Sequence, residues 1–169
     1  NTLAQFDGLC KLIAAGVAVN GNPTNITTAT GIVAANVVGI FNGIYSAIPQ
    51  NVLGKEDVRV FCGYDVYRTY QLALVTANLF NYAGNVGGLE EIIIPGSNVK
   101  VIPVHGLDST SKIYALRLSN LYMGVDLENE EERFEIYFDK SSDLMRFDAR
   151  FKMGVQVGII GEIVEFLLA

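Results

Sequence analysis

Residues 146–159 read Arg-Phe-Asp-Ala-Arg-Phe-Lys-Met-Gly-Val-Gln-Val-Gly-Ile. Every odd position is apolar: Phe147, Ala149, Phe151, Met153, Val155, Val157 and Ile159. Every even position is charged, an amide or glycine. A strict period of two fits a strand and no helix, because strand side chains alternate between two faces. At ~3.3 Å per residue the stretch would span roughly 45 Å, against about five or six residues for an ordinary strand. It is expected to be one long rod whose glycine-containing second half can bend.

A chain of 169 residues fits one domain, or one domain with an extension. It is 50% hydrophobic and only 18% charged, so apolar surface should remain once the core is filled. Contact with other subunits is the natural use for it. The net charge of −6 argues against a general nucleic-acid binder, which needs a basic field. Cys10 and Cys62 form neither a metal spacing nor a disulfide framework, and both are read as buried free thiols. No stretch reaches the ~20 apolar residues of a membrane span, since Gly31–Ile48 is broken by Asn36, Asn42 and glycines. No signal peptide is visible. The first residue is Asn1, so the chain is read as a piece of a longer protein.

Working outward from the rod, Gln5–Ala15 reads as a short helix with Phe6, Leu9, Leu12 and Ile13 on one stripe. Asn20–Asn25 reads as a loop. The glycosylation pattern Asn25-Ile26-Thr27 is discounted for lack of any secretion signal. Thr30 is expected to cap a helix carrying Val33, Val37, Ile40, Phe41, Ile44 and Ile48, which stops before Pro49. Gly39 and Gly43 on it are read as permitting close packing. Val58–Cys62 is a buried strand. Asp65 is expected to cap a helix to about Leu79 with Tyr67, Tyr70, Leu74 and Ala77 inward. Asn78–Gly88 is a loop. Ile92–Ile94 and Val99–Val104 flank a Pro95-Gly96-Ser97-Asn98 turn, with Pro103 at an edge or bulge. Lys112–Leu118 is a strand, Asn120–Gly124 a turn, Arg133–Asp139 an alternating strand and Lys140–Asp143 a turn. Glu162–Phe166 closes the chain as a strand. The mixture is an α+β domain. Val33, Val37, Phe41, Val60, Tyr70, Leu74, Ile93 and Val101 are its expected core.

Catalytic patterns are missing. His105 is the only histidine and reads as a surface loop residue. The acidic run Asp126, Glu128, Glu130, Glu131, Glu132 lacks the glycine and spacing of a calcium loop, and reads as a solvated or intersubunit face. The Gly84–Gly88 loop has no following Lys-Ser or Lys-Thr, so it is no phosphate loop. No serine sits in a nucleophile-elbow setting.

The order of segments resembles a known family. It runs Phe6-Asp7-Gly8-Leu9, a helix ending near a proline, then Val58-Arg59-Val60-Phe61-Cys62-Gly63-Tyr64-Asp65-Val66-Tyr67. Next come the hairpin Pro95-Gly96-Ser97-Asn98-Val99-Lys100-Val101-Ile102-Pro103-Val104 and Leu116-Arg117-Leu118-Ser119-Asn120-Leu121. Last are an acidic strand and the rod. Over nearly the whole chain this resembles the major capsid protein of tailed bacteriophages, the Hong Kong ninety-seven type of fold. The resemblance implies a wedge-shaped axial domain at 1–139, of mixed sheet with flanking helices, and terminal strands of the peripheral domain at 140–169. The family's N-terminal arm, extended loop and spine helix would come before Asn1. The chain then corresponds to the second half of a subunit, which alone should not build shells.

The implied function is structural and not enzymatic: a head subunit of a phage or prophage that assembles into an icosahedral shell around DNA. Its partners would be copies of itself, in pentamers and hexamers. No cofactor, metal, membrane or sequence-specific nucleic acid is implied, and packaged DNA is met only indirectly. The location would be the virion, and the bacterial host cytoplasm during assembly. Asn81, Asn85, Glu130, Glu131, Arg146, Arg150 and Lys152 are the expected intersubunit contacts, with 78–88 as the loop at the five- or six-fold axis. Some members cross-link a lysine to an asparagine near the start of the last long strand. Residues 139–143 contain no asparagine, so that chemistry is not implied here. Encapsulin-type shell proteins share the fold and are the nearest alternative. An α+β enzyme or ligand-binding domain whose site lies on a missing partner is the second.

One register can be decided from charge. Keeping Phe134, Ile136 and Phe138 on the face of Phe147 and Phe151 requires paired residue numbers with an odd sum. A sum of 283 opposes Arg133 to Arg150 and Glu135 to Asp148, which repels twice. A sum of 281 opposes Glu135 to Arg146 and Arg133 to Asp148. At ~0.2–1 kcal/mol per pair, 281 is expected, with 285 second.

Overall fold

The computed structural model describes residues 8–15, 24–28, 31–79, 92–125, 133–150 and 153–168. Among the described residues the helices and strands follow in the order α1 (Leu9–Ala15), β1 (Thr24–Thr28), α2 (Val37–Ala47), β2 (Val58–Cys62), α3 (Tyr64–Thr76), β3 (Ile92–Ile93), β4 (Lys100–Pro103), β5 (Ile113–Arg117), β6 (Leu121–Val125), β7 (Arg133–Asp139), β8 (Leu144–Arg150), β9 (Met153–Val157) and β10 (Val164–Leu168). Six strands form one mixed sheet in the order β1-β10-β5-β2-β4-β3, and the pairs β6–β9 and β7–β8 stand as two-stranded sheets. The fold is α+β.

The main sheet is covered on both faces. On one, α2 and α3 press Val37, Phe41, Ile44, Tyr70 and Leu74 onto Val60, Val101, Ala115 and Phe166. On the other, Ile13 of α1 joins Leu107, Tyr114, Leu116, Val157 and Ile163. This explains β5, where four successive residues, Ile113 to Leu116, are buried. A strand sandwiched on both sides reads as a continuous apolar run instead of an alternation. Glu165 is buried on the second face, accepting a hydrogen bond from the Tyr114 hydroxyl at 3.0 Å.

α2 exists because Val37, Phe41 and Ile44 recur at helical spacing, and it ends where Pro49 forbids a further turn. It begins later than the sequence indicates. Asn36 lies at its start, and its side chain ties back to Gly31 O and Val33 N, both at 2.9 Å. Val33 therefore falls outside the helix and is 48% exposed, a correction to the expected core. Ile93 is corrected too: it is exposed, and its neighbours Ile92 in β3 and Ile94 just after it are buried. The other six expected core residues are buried. Cβ atoms at Gly39 and Gly43 would meet nothing within 4 Å, so among the described residues neither glycine serves close packing.

α3 opens at Gly63, and Asp65 does not cap it; its carboxylate accepts the Ser109 amide at 3.2 Å. Ala73 is buried where Ala77 was expected, because the helix ends at Thr76. The turn after β3 has Ser97 N on Ile94 O at 3.0 Å and Gly96 at φ +78°, the left-handed position that type II turns reserve for glycine. Among the described residues β3 pairs with Lys100 and Val101 of β4, and Pro103 ends β4 opposite Cys62 of β2. Cys62 is buried, which pushes its thiol up to about 12. Cys10 is exposed on α1, against expectation.

Two stretches read as irregular are strands. Asn25-Ile26-Thr27 lies in β1, parallel to β10, and Leu121-Tyr122-Met123-Gly124-Val125 is β6. The last strand starts at Val164, after a 3-10 turn over Ile160–Glu162. The sequence reading placed all of 140–169 in a second unit, whereas β10 is an inner strand of the main sheet. The single rod is likewise shared between sheets: β8 pairs with β7 and β9 with β6. Phe6, Thr30, Phe151 and the loop 80–88 lie outside the described residues.

Candidate functional site

The β7–β8 ribbon is built around its turn. Asp139 Oδ1 accepts hydrogen bonds from Ser141 N at 3.0 Å and Ser141 Oγ at 2.7 Å, and Oδ2 accepts from Ser142 Oγ at 2.8 Å. These bonds, led by the Ser141 hydroxyl, hold the Asp139 carboxyl below the usual carboxylate range. Ser142 N reaches Asp139 O at 3.3 Å, and Asp143 follows at φ +54°. Aspartate tolerates that left-handed conformation better than most residues. Asp139 is thereby set opposite Leu144.

This fixes the register at 283, with Arg133 opposite Arg150 and Glu135 opposite Asp148. The expected 281 is overturned, as is its runner-up. A sum of 281 would need a two-residue loop at Lys140-Ser141, and the favoured two-residue hairpin turns demand positive φ that neither residue supplies cheaply. The four-residue loop has a left-handed position for Asp143 instead. Turn chemistry, and not the charge pattern, therefore accounts for this register.

The ribbon has two unlike faces. Phe134, Ile136 and Phe138 lie opposite Ala149, Phe147 and Met145, so one face is wholly apolar. Ile136, Phe138, Met145 and Phe147 are each more than half exposed. Their combined exposed area is on the order of 500 Å², as large as the biggest apolar patch of a typical monomer. That is short of the ~800 Å² per partner of a stable two-body interface, and suits one contact among several. The opposite face carries Arg133, Glu135, Tyr137, Asp139, Arg146, Asp148 and Arg150. There Arg146 Nε pairs with Asp139 Oδ2 at 3.0 Å.

β6–β9 continues the apolar theme. Leu121, Met123 and Val125 face Val157, Val155 and Met153, and exposure rises from buried Val157 to exposed Val125. Paired numbers sum to 278 here (Leu121 opposite Val157) and to 283 in β7–β8 (Arg133 opposite Arg150). The arm containing the acidic run thus holds five more residues than the other. An odd excess changes which positions face the apolar side, from odd in β6 to even in β7. Odd positions are apolar in both β8 and β9, the signal that was legible in the sequence. The signal missed was β6, where Tyr122 between Leu121 and Met123 blurs the alternation.

Of the expected contact residues, Arg146 and Arg150 share the charged face of β8, and Arg146 is engaged by its own chain's Asp139. Asn81, Asn85, Glu130, Glu131 and Lys152 lie outside the described residues.

Elsewhere, His105 stacks on Tyr64 at 4.3 Å, with Nδ1 2.9 Å from Asp108 Oδ2, and is 82% exposed. Asp57 gathers the Ser119 hydroxyl and amide and Arg117, whose other arm reaches Glu162 at 3.4 Å. Both clusters staple loops to the sheet. Among the described residues no group of three or more His, Cys, Asp or Glu could hold a metal ion, and no helix is long and apolar enough to cross a membrane.

This combination of a mixed sheet under two helices and a projecting ribbon is the Hong Kong ninety-seven type capsid fold. Among solved structures, the chain is similar to Mycobacterium phage Che8, at 15% identity and a TM-score of 0.62, covering 86% of this chain and 53% of that one. It is similar to the capsid of an empty GTA particle, at 11% identity and a TM-score of 0.63, covering 91% of this chain and 53% of that one. A virus-like particle from Pyrococcus furiosus is similar at 9% identity and a TM-score of 0.53, covering 92% and 59%. The chain spans about half the length of the first two structures. No protein-family model and no curated protein matches the sequence.

Proposed function

We propose that this chain belongs to a shell subunit, a structural and non-enzymatic protein whose partners are copies of itself. The carrying observation is the exposed apolar face of β7–β8, on a fold otherwise found in capsids. A two-stranded ribbon is marginal in water by itself. Burying that face against neighbouring subunits stabilises ribbon and lattice together. In this reading copies group as pentamers and hexamers of an icosahedral head, assembled in a bacterial cytoplasm and ending in the virion around packaged DNA. Loop 78–88, with Asn81 and Asn85, lines the five- or six-fold axis. The peripheral part comprises β6 to β9, while β10 stays with the axial sheet. Expression of the complete reading frame, followed by electron microscopy, tests this. Closed shells are expected; a monodisperse small species sinks the reading.

The likeness to the Pyrococcus furiosus particle favours a second reading, a nanocompartment shell that holds protein. The contents of purified particles separate the two: DNA supports a phage head, protein cargo without DNA a compartment.

A further inference from the structure

We propose that the outer surface of the α2–α3 layer docks on the same surface of a second copy, with the apolar ridge of α3 in each lying over the smooth side of α2 in the other. The inference rests on the shell reading and names a contact that reading leaves open.

Both helices turn one side to the sheet, and their other side has almost no charge to offer water. Residues 31–54 include no charged residue, and residues 69–79 again include none. A helix on the surface of a lone subunit carries charge on its outer side, whereas the core of an interface is depleted of it. On α3, Leu72 is 60% exposed, and Val75 and Leu79, three and seven residues on, are exposed beside it. Leu79 is held against the end of the helix by its amide, which donates to Leu74 O at 2.9 Å. The threonines of α3 add little polarity, since the Thr69 and Thr76 hydroxyls donate back to Asp65 O and Leu72 O, both at 2.9 Å. α2 has the opposite relief. Gly39, Asn42 and Gly43 lie away from its buried stripe, and Cβ atoms at the two glycines would meet open space. Ridge and trough are neighbours, because Phe41 and Tyr70 stack between the two helices. A surface with a ridge beside a trough matches itself when a two-fold axis lies in the contact and runs between the helices, which is an isologous arrangement. A bilayer surface would call for Lys or Arg along the border, and α2 has neither. Two helices of this length offer on the order of 400 Å², against ~800 Å² per partner for a standard interface. That suits one contact among several on a shell subunit.

The test uses the complete reading frame in three forms: wild type, Gly39→Leu/Gly43→Leu, which fills the trough, and Leu72→Glu, which charges the ridge. Association is followed by sedimentation and light scattering. Each variant should need about tenfold or more higher concentration to associate. Melting temperatures should hold or rise, because leucine favours a helix over glycine and Leu72 is already exposed. A merely structural role would lower stability and association together. Wild-type association should persist at high salt, as an apolar contact does. Proximity is read directly in a Cys10→Ser background: equimolar Gly43→Cys and Leu72→Cys chains, treated with a soluble aromatic disulfide as oxidant, should cross-link to each other better than either does to itself. If wild type forms shells and both variants assemble equally well, the helix-layer contact is wrong and the shell reading stands. If wild type forms pairs that cross-link in this way but no shells, the contact stands and the shell reading fails. A wild type that stays monomeric at high concentration overturns both.

Discussion

Tyr70 stacks on Phe41 with ring centroids 4.0 Å apart and planes 17° from parallel, so α3 is locked to α2 over the sheet. Both rings are fully buried, and the Tyr70 hydroxyl meets no hydrogen-bond partner among the described residues. Burial raises the Tyr70 pKa, with Cys62 as a second contributor, so the group stays neutral. A buried unpaired hydroxyl costs about 1–3 kcal/mol. Tyr70→Phe should therefore leave stability unchanged or raise it by up to about 1 kcal/mol, whereas Phe41→Ala should lose about 3–5 kcal/mol. Urea denaturation measures both. A loss above about 1 kcal/mol in Tyr70→Phe would mean that the hydroxyl has a partner.

Asn120 is a buried knot. Its Oδ1 accepts the Ile159 amide and its Nδ2 donates to Ile159 O, both at 2.7 Å, while its own carbonyl takes Gly158 N at 3.0 Å. Replacing it by Leu strips both side-chain bonds and takes the Ile159 amide's acceptor away, while Ile159 O keeps only the longer bond from Glu162 N at 3.4 Å. The expected cost is about 2–4 kcal/mol at ~1–3 kcal/mol per orphaned group. Gly158→Ala should fail for a related reason, since its Cβ would lie 2.8 Å from Tyr122 and 2.9 Å from the Asn120 side chain. Thermal melts that match wild type would refute both.

Acid should loosen the staples. Hydrogen bonds from Ser119 lower the Asp57 carboxyl, and those from Ser141 and Ser142 lower Asp139. The His105 ring does the same for Asp108. A carboxylate depressed by folding contributes stability that is present above its unfolded value and is lost as pH falls through the folded one. Stability should therefore decline below about pH 4. Protection of the β7–β8 amides against hydrogen exchange, taken relative to the unfolded chain at the same pH, should fall there. Asp139→Asn should already show low protection at neutral pH and little further change.

Polar substitution on the apolar face should separate folding from association. Ile136→Ser/Met145→Ser alters side chains that are 68% and 70% exposed, so the melting temperature should move little. Particle yield from the complete reading frame should collapse. Normal yield would show that another surface carries the contact.

Most helices and strands were legible because their signals are local. Val37, Phe41 and Ile44 in α2, and Tyr70 and Leu74 in α3, recur at helical spacing, the rod alternates strictly, and Pro95-Gly96 can only turn. The missing strands show the limit. β1 is polar, Tyr122 blurs the alternation of β6, and each is extended because a distant partner, β10 or β9, offers it a ladder. Of the candidate site, the sequence indicated an apolar stripe and charged partners on β8, but not how they are matched across the ribbon.

The sequence by itself determined the fold class, most of the core and the surplus of apolar surface, since these follow from composition and from periods of 2 and 3.6 residues. Only the tertiary structure decided that Glu135 lies opposite Asp148, that Arg146 answers to Asp139, and that β10 is an inner strand. Pairing between strands is a sum over turn geometry, ladder and both faces. Charge, the contribution easiest to read along the chain, does not select this register.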